Sequence, residues 1–482
     1  MNKKHIVSDQ LPRRDFMKVA GVAGGCAALT NTSLLSTIFN LSATNAAVAA
    51  NDLSGYKALV CVFLYGGNDS YNMLSPAEPQ ERADYLEARG GVYAPGNGAL
   101  GLPEEGLHEI TDSASGRRFN VHPAMADVAG LYGDGNLTYL CNVGSLVQPT
   151  DRAAYNSQTA LPLGLFSHAD LQRHWMTSVP QTRSQVTGWA GRMADLITDS
   201  VNSHPSISMS IALNQVNMLQ TGGSVIPYIV TNNGASEVNW YDQTWTQARI
   251  FTQLTDDVLS RTYSNLYQKT FAQGNRNALD AAIAFNEATD AVNLNTTFRT
   301  TNNDLATQLQ MVAKTIGARS TLGQTRQIFF VYAGGWDNHD ELINNQQTRL
   351  GYVSTALKDF YDATVELGVQ NDVCTFTASD FARTLNSNGR GSDHAWGGNH
   401  IIMGGGVNGG RLYGDYPMTL KPNATDLDLG RGRLLPTTSC DEMSCELAMW
   451  YGMGNDNAME AVLPNIRNFV PAGDPAPLGF VS

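Results

Sequence analysis

Charged residues are scarce in this sequence. Asp, Glu, Lys and Arg make up 16% of the 482 residues, whereas an average soluble protein has about a quarter. Acidic residues outnumber basic ones, and the formal net charge is -13 at pH 7. A surface of this sign repels a phosphate backbone, so the sequence argues against a nucleic-acid partner.

Cysteine is also rare. Six cysteines in 482 residues cannot form a disulfide scaffold, and no pair has the CxxC spacing of a metal or redox site. Cys61, Cys141 and Cys374 lie in apolar runs and are predicted to be small buried side chains. Cys440 and Cys445 are close in sequence and could pair across a short loop in an oxidising compartment.

No stretch beyond residue 50 is long and apolar enough to span a bilayer. The first 50 residues contain a basic start, the adjacent Arg13 and Arg14, a mildly apolar stretch and a run of small residues ending at Ala50. This order is typical of a twin-arginine export signal. Glycine and polar residues interrupt the apolar stretch, which argues against a membrane anchor. We expect residues 1–50 to be a signal peptide and the exported chain to be periplasmic or extracellular.

The rest of the chain has the composition of a globular protein. Hydrophobic residues make up 42% and aromatic residues 9%, so a sizeable core is expected. Length alone allows two or three domains or one large α/β domain. Because no repeat or clear linker divides the chain, we predict one domain over 51–482, with insertions near 85–120 and 200–250.

Short apolar runs recur, and several of them end in glycine or a polar cluster. They are nearly continuous in apolar residues, which is typical of strands buried on both faces of a parallel sheet. Helical patterns separate several of them, so the sequence predicts an α/β/α sandwich with a central, mostly parallel sheet. The predicted strands cover 58–65, 137–143, 327–333, 373–378 and 400–403.

Acidic residues and histidines concentrate at the ends of these predicted strands, where ligands bind in sheets of this kind. Carboxylates together with imidazoles are the ligands of zinc, manganese or iron(II), whereas calcium and magnesium avoid histidine. Each residue alone has a commoner role as a turn, helix cap or structural histidine. Their joint placement favours a metal site. The candidate metal ligands are Asp69, Asp337, His339, Asp380, Asp393, His394 and His400.

A second motif is Ser167-His168-Ala169-Asp170. It has the form of a capping box, so Ser167 could simply cap a helix. A hydroxyl at a helix N-terminus beside a metal could instead act as a nucleophile. We therefore take Ser167 and His168 as candidate catalytic residues.

Several segments together resemble the exported bacterial family called domain of unknown function 1501. They are 60–70 (VCVFLYGGNDS), 167–177 (SHADLQRHWMT), 334–339 (GGWDNH), 379–384 (SDFART) and 392–414 (SDHAWGGNHIIMGGGVNGGRLYG). That family is similar to the alkaline-phosphatase-like superfamily, which includes sulfatases, phosphodiesterases and cofactor-independent phosphoglycerate mutases. The resemblance implies an α/β/α fold with a metal site at the carboxyl edge of its sheet.

The resemblance also implies roles for individual residues. Asp69 matches the metal-binding Asp after the first strand, and Asp337 with His339 resembles the Asp and His pair of one metal position. Asp380 matches a later metal-binding Asp, after which the superfamily usually has His; this chain has Phe381. That departure removes a strong ligand from the second metal position. Either His394 or His400 matches the last metal-binding histidine of the superfamily, and the motif spacing favours His394. Ser167 stands at the position of the superfamily's nucleophile.

The sequence thus predicts an exported metal-dependent hydrolase of phosphate or sulfate esters, with one or two divalent ions, zinc or manganese. Arg383 or His168 could assist the anion. The expected substrate is a small anionic ester or an envelope glycan or lipid. The alternative is a non-catalytic metal-binding or envelope assembly protein of the same fold, with an envelope protein as its partner. A carbohydrate-acting enzyme with paired carboxylates leaves the histidines unexplained.

Overall fold

A computed structural model describes residues 53–204, 206–454, 456–473 and 477–482. The expected signal peptide lies outside the described residues. In the part of the chain that the structure describes, no helix is both long and apolar enough to cross a membrane.

The described residues form two sheets. The strands are β1 (Lys57–Leu64), β2 (Leu74–Pro76), β3 (His108–Thr111), β4 (Arg118–Val121), β5 (Leu137–Gly144), β6 (Ser210–Leu213), β7 (Tyr228–Val230), β8 (Arg326–Ala333), β9 (Val373–Ser379), β10 (Gly398–Gly404), β11 (Leu412–Gly414) and β12 (Thr438–Ser439). The large sheet has the order β11-β5-β10-β9-β1-β8-β6-β7, with β12 also paired to β5. Its pairings are parallel except those of β10, which runs antiparallel to β5 and β9. The predicted mostly parallel sheet is confirmed, and all five predicted strands lie in it.

Helices precede, follow and connect the strands. They are α1 (Ser70–Met73), α2 (Pro79–Ala88), α3 (Ala126–Gly133), α4 (Arg152–Asn156), α5 (His168–Thr177), α6 (Trp189–Val201), α7 (Thr246–Ser260), α8 (Leu266–Asp290), α9 (Asp304–Gly317), α10 (Leu342–Glu366), α11 (Cys440–Tyr451) and α12 (Asp456–Val462).

The alternation of side chains along β1 shows how the layers form. Ala58, Val60 and Val62 belong to one buried cluster, together with residues of α9 and α10. Leu59, Cys61 and Phe63 belong to a second cluster, with residues of α6 and α11. Successive strand residues point to opposite faces, so β1 is covered by helices on both sides and must be apolar throughout.

The two regions predicted as insertions have defined structure. Within 85–120, β3 and β4 form a small antiparallel sheet with β2. Within 200–250, β6 and β7 extend the edge of the large sheet beside β8. The region predicted as an insertion near 200–250 therefore contributes strands to the main sheet, followed by the start of α7.

The suggested disulfide between Cys440 and Cys445 is wrong in this structure. Both cysteines are buried and free, and both lie on α11. Residues five apart on a helix are separated by about 140° around its axis. Their side chains therefore point in different directions, which a disulfide between them does not allow.

Asp441 is a buried carboxyl at the start of α11. Burial raises its pKa to about 7, against the lowering effect of the Ser439 hydrogen bond and the Arg192 charge. A carboxyl whose pKa is higher in the folded chain contributes stability that is complete below about pH 4 and lost as the pH rises to 7. Asp441→Asn is therefore expected to raise the free energy of unfolding on the order of 3 kcal/mol more at pH 8 than at pH 4. Urea unfolding at both pH values measures this, and an equal effect at the two would contradict it.

Candidate metal centre

The topology brings the predicted residues to one edge of the large sheet. Asp69, Asp337 and Asp380 follow β1, β8 and β9, and β1 lies between β8 and β9 and runs parallel to both. His394 lies just before β10, whose direction is reversed. The start of an antiparallel strand lies at the same edge as the ends of its neighbours, so all four positions converge there.

Gly66 allows the loops after β1 and β8 to touch. Its φ is 120°, and a β carbon at this position would collide with the backbone nitrogen of Asp337 and lie 2.9 Å from the carbonyl carbon of Trp336. Only glycine tolerates both the backbone angle and the approach. The loop that carries Asp337 is thereby held directly beside the end of β1.

Three side-chain atoms meet at the centre of this edge. Asp337 Oδ1 lies 3.1 Å from His339 Nε2 and 3.3 Å from His394 Nε2. The two imidazole nitrogens lie 3.0 Å from each other. Asp337, His339 and His394 thus form a triangle of potential ligand atoms, which we call the ligand triangle.

The hydrogen bonds behind the ligand triangle fix its histidines. His394 Nδ1 lies 2.7 Å from the carbonyl oxygen of Phe166, which can only accept, so Nδ1 carries the proton. His339 Nδ1 lies 2.9 Å from Asp393 Oδ1 and donates to that carboxylate. Burial lowers the pKa of His394, which favours the neutral ring. Because Nδ1 carries a proton in each ring, the Nε2 atom of a neutral ring presents its lone pair towards Asp337.

Arginines hold the carboxylates of the site. Arg383, whose side chain is fully buried, donates to Asp337 Oδ1 at 2.7 Å. Burial raises the pKa of Asp337, but the hydrogen bond and charge of Arg383 outweigh it and the pKa is lowered. Arg431 donates to Asp393 Oδ2. Both carboxylates are therefore ionised and fixed in orientation.

His168 lies on the other side of Asp337. Its Nδ1 donates to Asp380 Oδ2 at 2.6 Å, and its Nε2 lies 3.4 Å from Asp337 Oδ2. The hydrogen bond to Asp380 raises the pKa of His168 despite partial burial, which favours the positively charged ring. His168, Asp337 and His394 each place one ligand atom within 4.8 Å of the others, so His168 belongs to the same cluster.

Asp380 lies beneath His168. It is fully buried, and its Oδ2 also accepts from Gln172 at 2.9 Å. Its Oδ1 is buried and has no hydrogen-bond partner. The sequence predicted Asp380 as a metal ligand, whereas the structure shows its Oδ2 holding a histidine ring.

Ser167 is the N-cap residue of α5, next to this cluster. Its hydroxyl caps no backbone N–H and helps to lower the pKa of Asp170, after the larger effect of Arg183. Phe166, which precedes it, has a φ of 70°, a backbone conformation that is strained for a bulky residue and is found most often at functional sites. This turn directs the Phe166 carbonyl to His394 and places His168 beside Asp337.

Asp69 is paired with a residue that the sequence did not single out. Its Oδ1 accepts from Arg89 Nη2 at 2.5 Å, and both side chains are fully buried. Its Oδ2 is also buried and has no hydrogen-bond partner. Arg89 also donates to the carbonyls of Thr384 and Leu385. The charge of Asp69 is therefore neutralised by an arginine from the predicted insertion.

The structure separates His400 from the other candidates. Its ring is buried, lies 4.6 Å from the ring of Trp175, and has its pKa lowered to about 3 by burial. Phe381, in contrast, lies against two histidines of the candidate metal centre. Its ring is 4.6 Å from that of His394 and 4.8 Å from that of His168. An apolar ring thus fills the position where the resembled superfamily has a histidine.

Sequence reasoning missed Arg89, Phe166 and Gln172. Arg89 follows a weakly amphipathic helix in a stretch that has the composition of a surface loop, and no pattern marks it as buried. Phe166 acts through its carbonyl and backbone angle, which are independent of its side chain. Gln172 lies four residues after His168 on α5, and this spacing is the one signal that links it to the site.

A model of the family described as "Protein of unknown function (DUF1501)" matches residues 56–426. No curated protein matches the sequence. The structure of Ps i-CgsB in complex with k-i-k-neocarrahexaose is similar with a TM-score of 0.35 and 8% identity, over 86% of this chain and 77% of that one. The lipoteichoic acid synthase LtaP from Listeria monocytogenes is similar with a TM-score of 0.31 and 7% identity, over 77% and 73%. Because the family match covers most of the chain, this protein belongs to the DUF1501 family.

Proposed function

We propose that this protein is an exported, metal-dependent hydrolase of phosphate or sulfate esters. The ligand triangle carries the proposal. Its two Nε2 atoms and one carboxylate oxygen all present lone pairs to the same space, while both Nδ1 protons are used elsewhere. Such an arrangement is repulsive unless a cation or an extra proton lies between the atoms.

The dimensions of the ligand triangle fit one transition-metal ion. A tetrahedral ion with bonds of about 2.0–2.1 Å separates its ligand atoms by roughly 3.3 Å, and the three observed separations are 3.0, 3.1 and 3.3 Å. Asp393 and the Phe166 carbonyl orient the two imidazoles in the manner of outer-shell groups around a metal. Two histidines and one carboxylate leave a position open, as in catalytic sites, and suit zinc or manganese.

We propose one ion rather than two. Of the other three acidic residues predicted as ligands, Asp393 orients His339, and Asp69 and Asp380 already have Arg89 and His168 as cationic partners. Phe381 adds an apolar ring where a further ligand was expected. These contacts support a site in which protein cations take the place of a second metal.

The surrounding residues suit an anionic ester. A divalent ion held by the ligand triangle would supply a Lewis acid able to polarise an ester oxygen and to lower the pKa of a neighbouring hydroxyl or water. Positively charged His168 offers its Nε2 side to a bound anion and can donate a proton to a leaving group. Ser167 carries the hydroxyl nearest in sequence to this ring and is our candidate nucleophile. An acidic chain needs such local positive charge to hold an anion.

A metal and activity assay tests the proposed function. We expect the purified protein to contain zinc or manganese and to hydrolyse an aryl phosphate, a phosphodiester or an aryl sulfate. Asp337→Ala is expected to lose both the metal and the activity. A metal-free wild type that is inactive towards all three substrates after metal addition would contradict the proposal.

His168→Gln separates proton transfer from metal binding. We expect the metal content to be unchanged and the turnover to fall by about 100-fold or more, because a positioned general acid contributes at least this much. His108→Gln is the matched control, since His108 contacts the Pro123 carbonyl and should leave turnover unchanged. Loss of the metal from a folded His168→Gln protein would instead make His168 a ligand.

A non-catalytic metal-binding protein is the second candidate. The contacts that argue for a single ion also favour this candidate. Arg89 and His168 pair with Asp69 and Asp380, the two carboxylates that the resemblance implies as further metal ligands. A protein that binds one metal per chain, turns over none of the three ester classes and co-purifies with an envelope protein would support this candidate.

A further inference from the structure

A short turn beside the candidate metal centre carries two arginines. Its ends, Asp428 and Leu434, form an antiparallel bridge, and its sequence is DLGRGRL. We call residues 428–434 the arginine turn. Asp428 Oδ1 accepts from the backbone nitrogens of Gly430 and Gly432 at 2.8 and 3.1 Å. The carboxylate of Asp428 therefore fixes the turn from within.

The arginine turn is attached to the segment that carries His394. The backbone nitrogen of Leu385 donates to the Gly432 carbonyl at 3.0 Å, and that of Gly397 donates to the Leu434 carbonyl at 2.9 Å. Gly432 has a φ of 67°, and a β carbon there would collide with the side chain of Leu385, so this contact requires glycine. The turn is thereby held in a fixed position beside the ligand triangle.

Arg431, at the tip of the arginine turn, neutralises a carboxylate of the site. Its guanidinium donates to Asp393 Oδ2, and the other oxygen of Asp393 accepts from His339. Arg431 has a φ of 62°, a backbone conformation that residues other than glycine adopt mostly in tight turns and at functional sites. Because Asp393 is already paired with Arg431, it is not the partner of the second arginine, Arg433.

Arg433 forms no salt bridge with any described residue. Its Nε donates to the Gly430 carbonyl at 3.1 Å, and its guanidinium carbon lies 4.9 Å from the centre of the Phe166 ring. Its two Nη groups bond to no described residue, and neither is buried. The guanidinium is therefore held in place at its Nε and by an aromatic face, while both Nη groups remain open to a ligand.

The position of Arg433 links it to the ligand triangle. The carbonyl of Phe166 accepts from His394 Nδ1 at 2.7 Å, so one residue separates the guanidinium from a proposed metal ligand. The chain has 44 acidic residues against 31 basic ones, and its overall field repels an anion. A guanidinium with free Nη groups reverses this effect locally, and it binds a phosphate, sulfate or carboxylate through paired N–H donors.

We propose that the substrate carries a second anionic group, which the Nη groups of Arg433 bind while the scissile phosphate or sulfate lies at the ligand triangle. This inference rests on the proposed function and narrows its substrates to esters with at least two anionic groups. One intervening residue places the two groups on the order of 10 Å apart. A simple monoester offers no ligand to Arg433 and is expected to bind less tightly.

Calorimetric binding of two probes that contain no ester bond tests this inference. Hexane-1,6-diphosphonate carries two anionic groups on a chain that spans about the required distance, and hexylphosphonate carries one. In the presence of zinc, we expect the purified protein to bind the diphosphonate about tenfold or more tightly than the monophosphonate, because a hydrogen bond to a charged group contributes at least this much. The field of an acidic protein alone would give the opposite order.

Arginine variants locate the second anionic group. Arg433→Gln is expected to abolish the preference for the diphosphonate and to retain the metal, and Arg433→Lys, which keeps the charge, should retain part of the preference. Arg249→Gln is the matched control, since Arg249 is an exposed residue of α7 that also forms no salt bridge with a described residue. This variant should show the same preference as wild type.

The outcomes separate this inference from the proposed function. Equal affinity for the two probes, no binding of either probe, or a preference that survives Arg433→Gln would overturn the inference. Because neither probe has an ester bond to hydrolyse, the preference can be measured on an inactive protein. An inactive protein that shows it would contradict only the proposed activity, and an active protein without it would contradict only the second anionic group.

Discussion

Replacing His394 with alanine is expected to remove the bound metal and, with it, the ester hydrolysis. His394 Nε2 lies 3.0 Å from His339 Nε2 and 3.3 Å from Asp337 Oδ1, so its loss leaves two ligands where a tetrahedral site needs at least three from the protein. Mutating outer-shell residues alone costs 10- to 100-fold in metal affinity. For His394→Ala we therefore expect a loss of more than about 100-fold, measured by titrating metal into the apo protein.

His400→Gln is the control for this variant. Both histidines lie in the same stretch of sequence and both are predicted ligands, but His400 is buried against Trp175. Per folded molecule, His400→Gln should bind metal like wild type. If His400→Gln loses the metal and His394→Ala keeps it, the proposed ligand triangle is wrong.

Replacing Arg89 with methionine is expected to destabilise the protein by about 3–5 kcal/mol, because it leaves Asp69 as an uncompensated buried charge. Both side chains of this ion pair are fully buried. The metal content of the folded variant should be unchanged, since we place Asp69 outside the ligand set. Chemical unfolding measures the first effect and elemental analysis the second.

The double variant Asp69→Asn/Arg89→Met tests the origin of that loss. Removing both charges is expected to recover most of the stability, because two neutral side chains of similar size need no partner charge. The account is contradicted if Arg89→Met costs less than about 1 kcal/mol, as an exposed pair would, or if the double variant loses the metal while remaining folded.

Much of the fold follows from the sequence for a simple physical reason. Strands buried on both faces must be apolar at every position, so β1, β5, β8, β9 and β10 stand out as continuous runs. Parallel neighbours bring the residues that follow them to one edge, and this places Asp337 beside the residues after β1 and β9 without any knowledge of the structure. His339 lies two residues after Asp337, a spacing that puts both side chains on one side of an extended segment, and the two side chains do meet.

The remaining features depend on contacts that leave no periodic pattern. Arg89 reaches Asp69 from a stretch that looks like a surface loop, so the pairing depends on how α2 packs and not on local sequence. His394 and His400 are six residues apart. His394 precedes the start of β10 and faces Asp337, whereas His400 lies within β10 and faces Trp175. β6 and β7 are too short to be distinguished from a loop by composition. For these elements, tertiary packing outweighs local preference.

Anomalous diffraction from a crystal grown with zinc or manganese tests the central claim most directly. The account predicts one peak in each chain, about 2.0–2.2 Å from Asp337 Oδ1, His339 Nε2 and His394 Nε2. The absence of a peak at the ligand triangle, or a peak bound instead by Asp69 and Asp380, would contradict it.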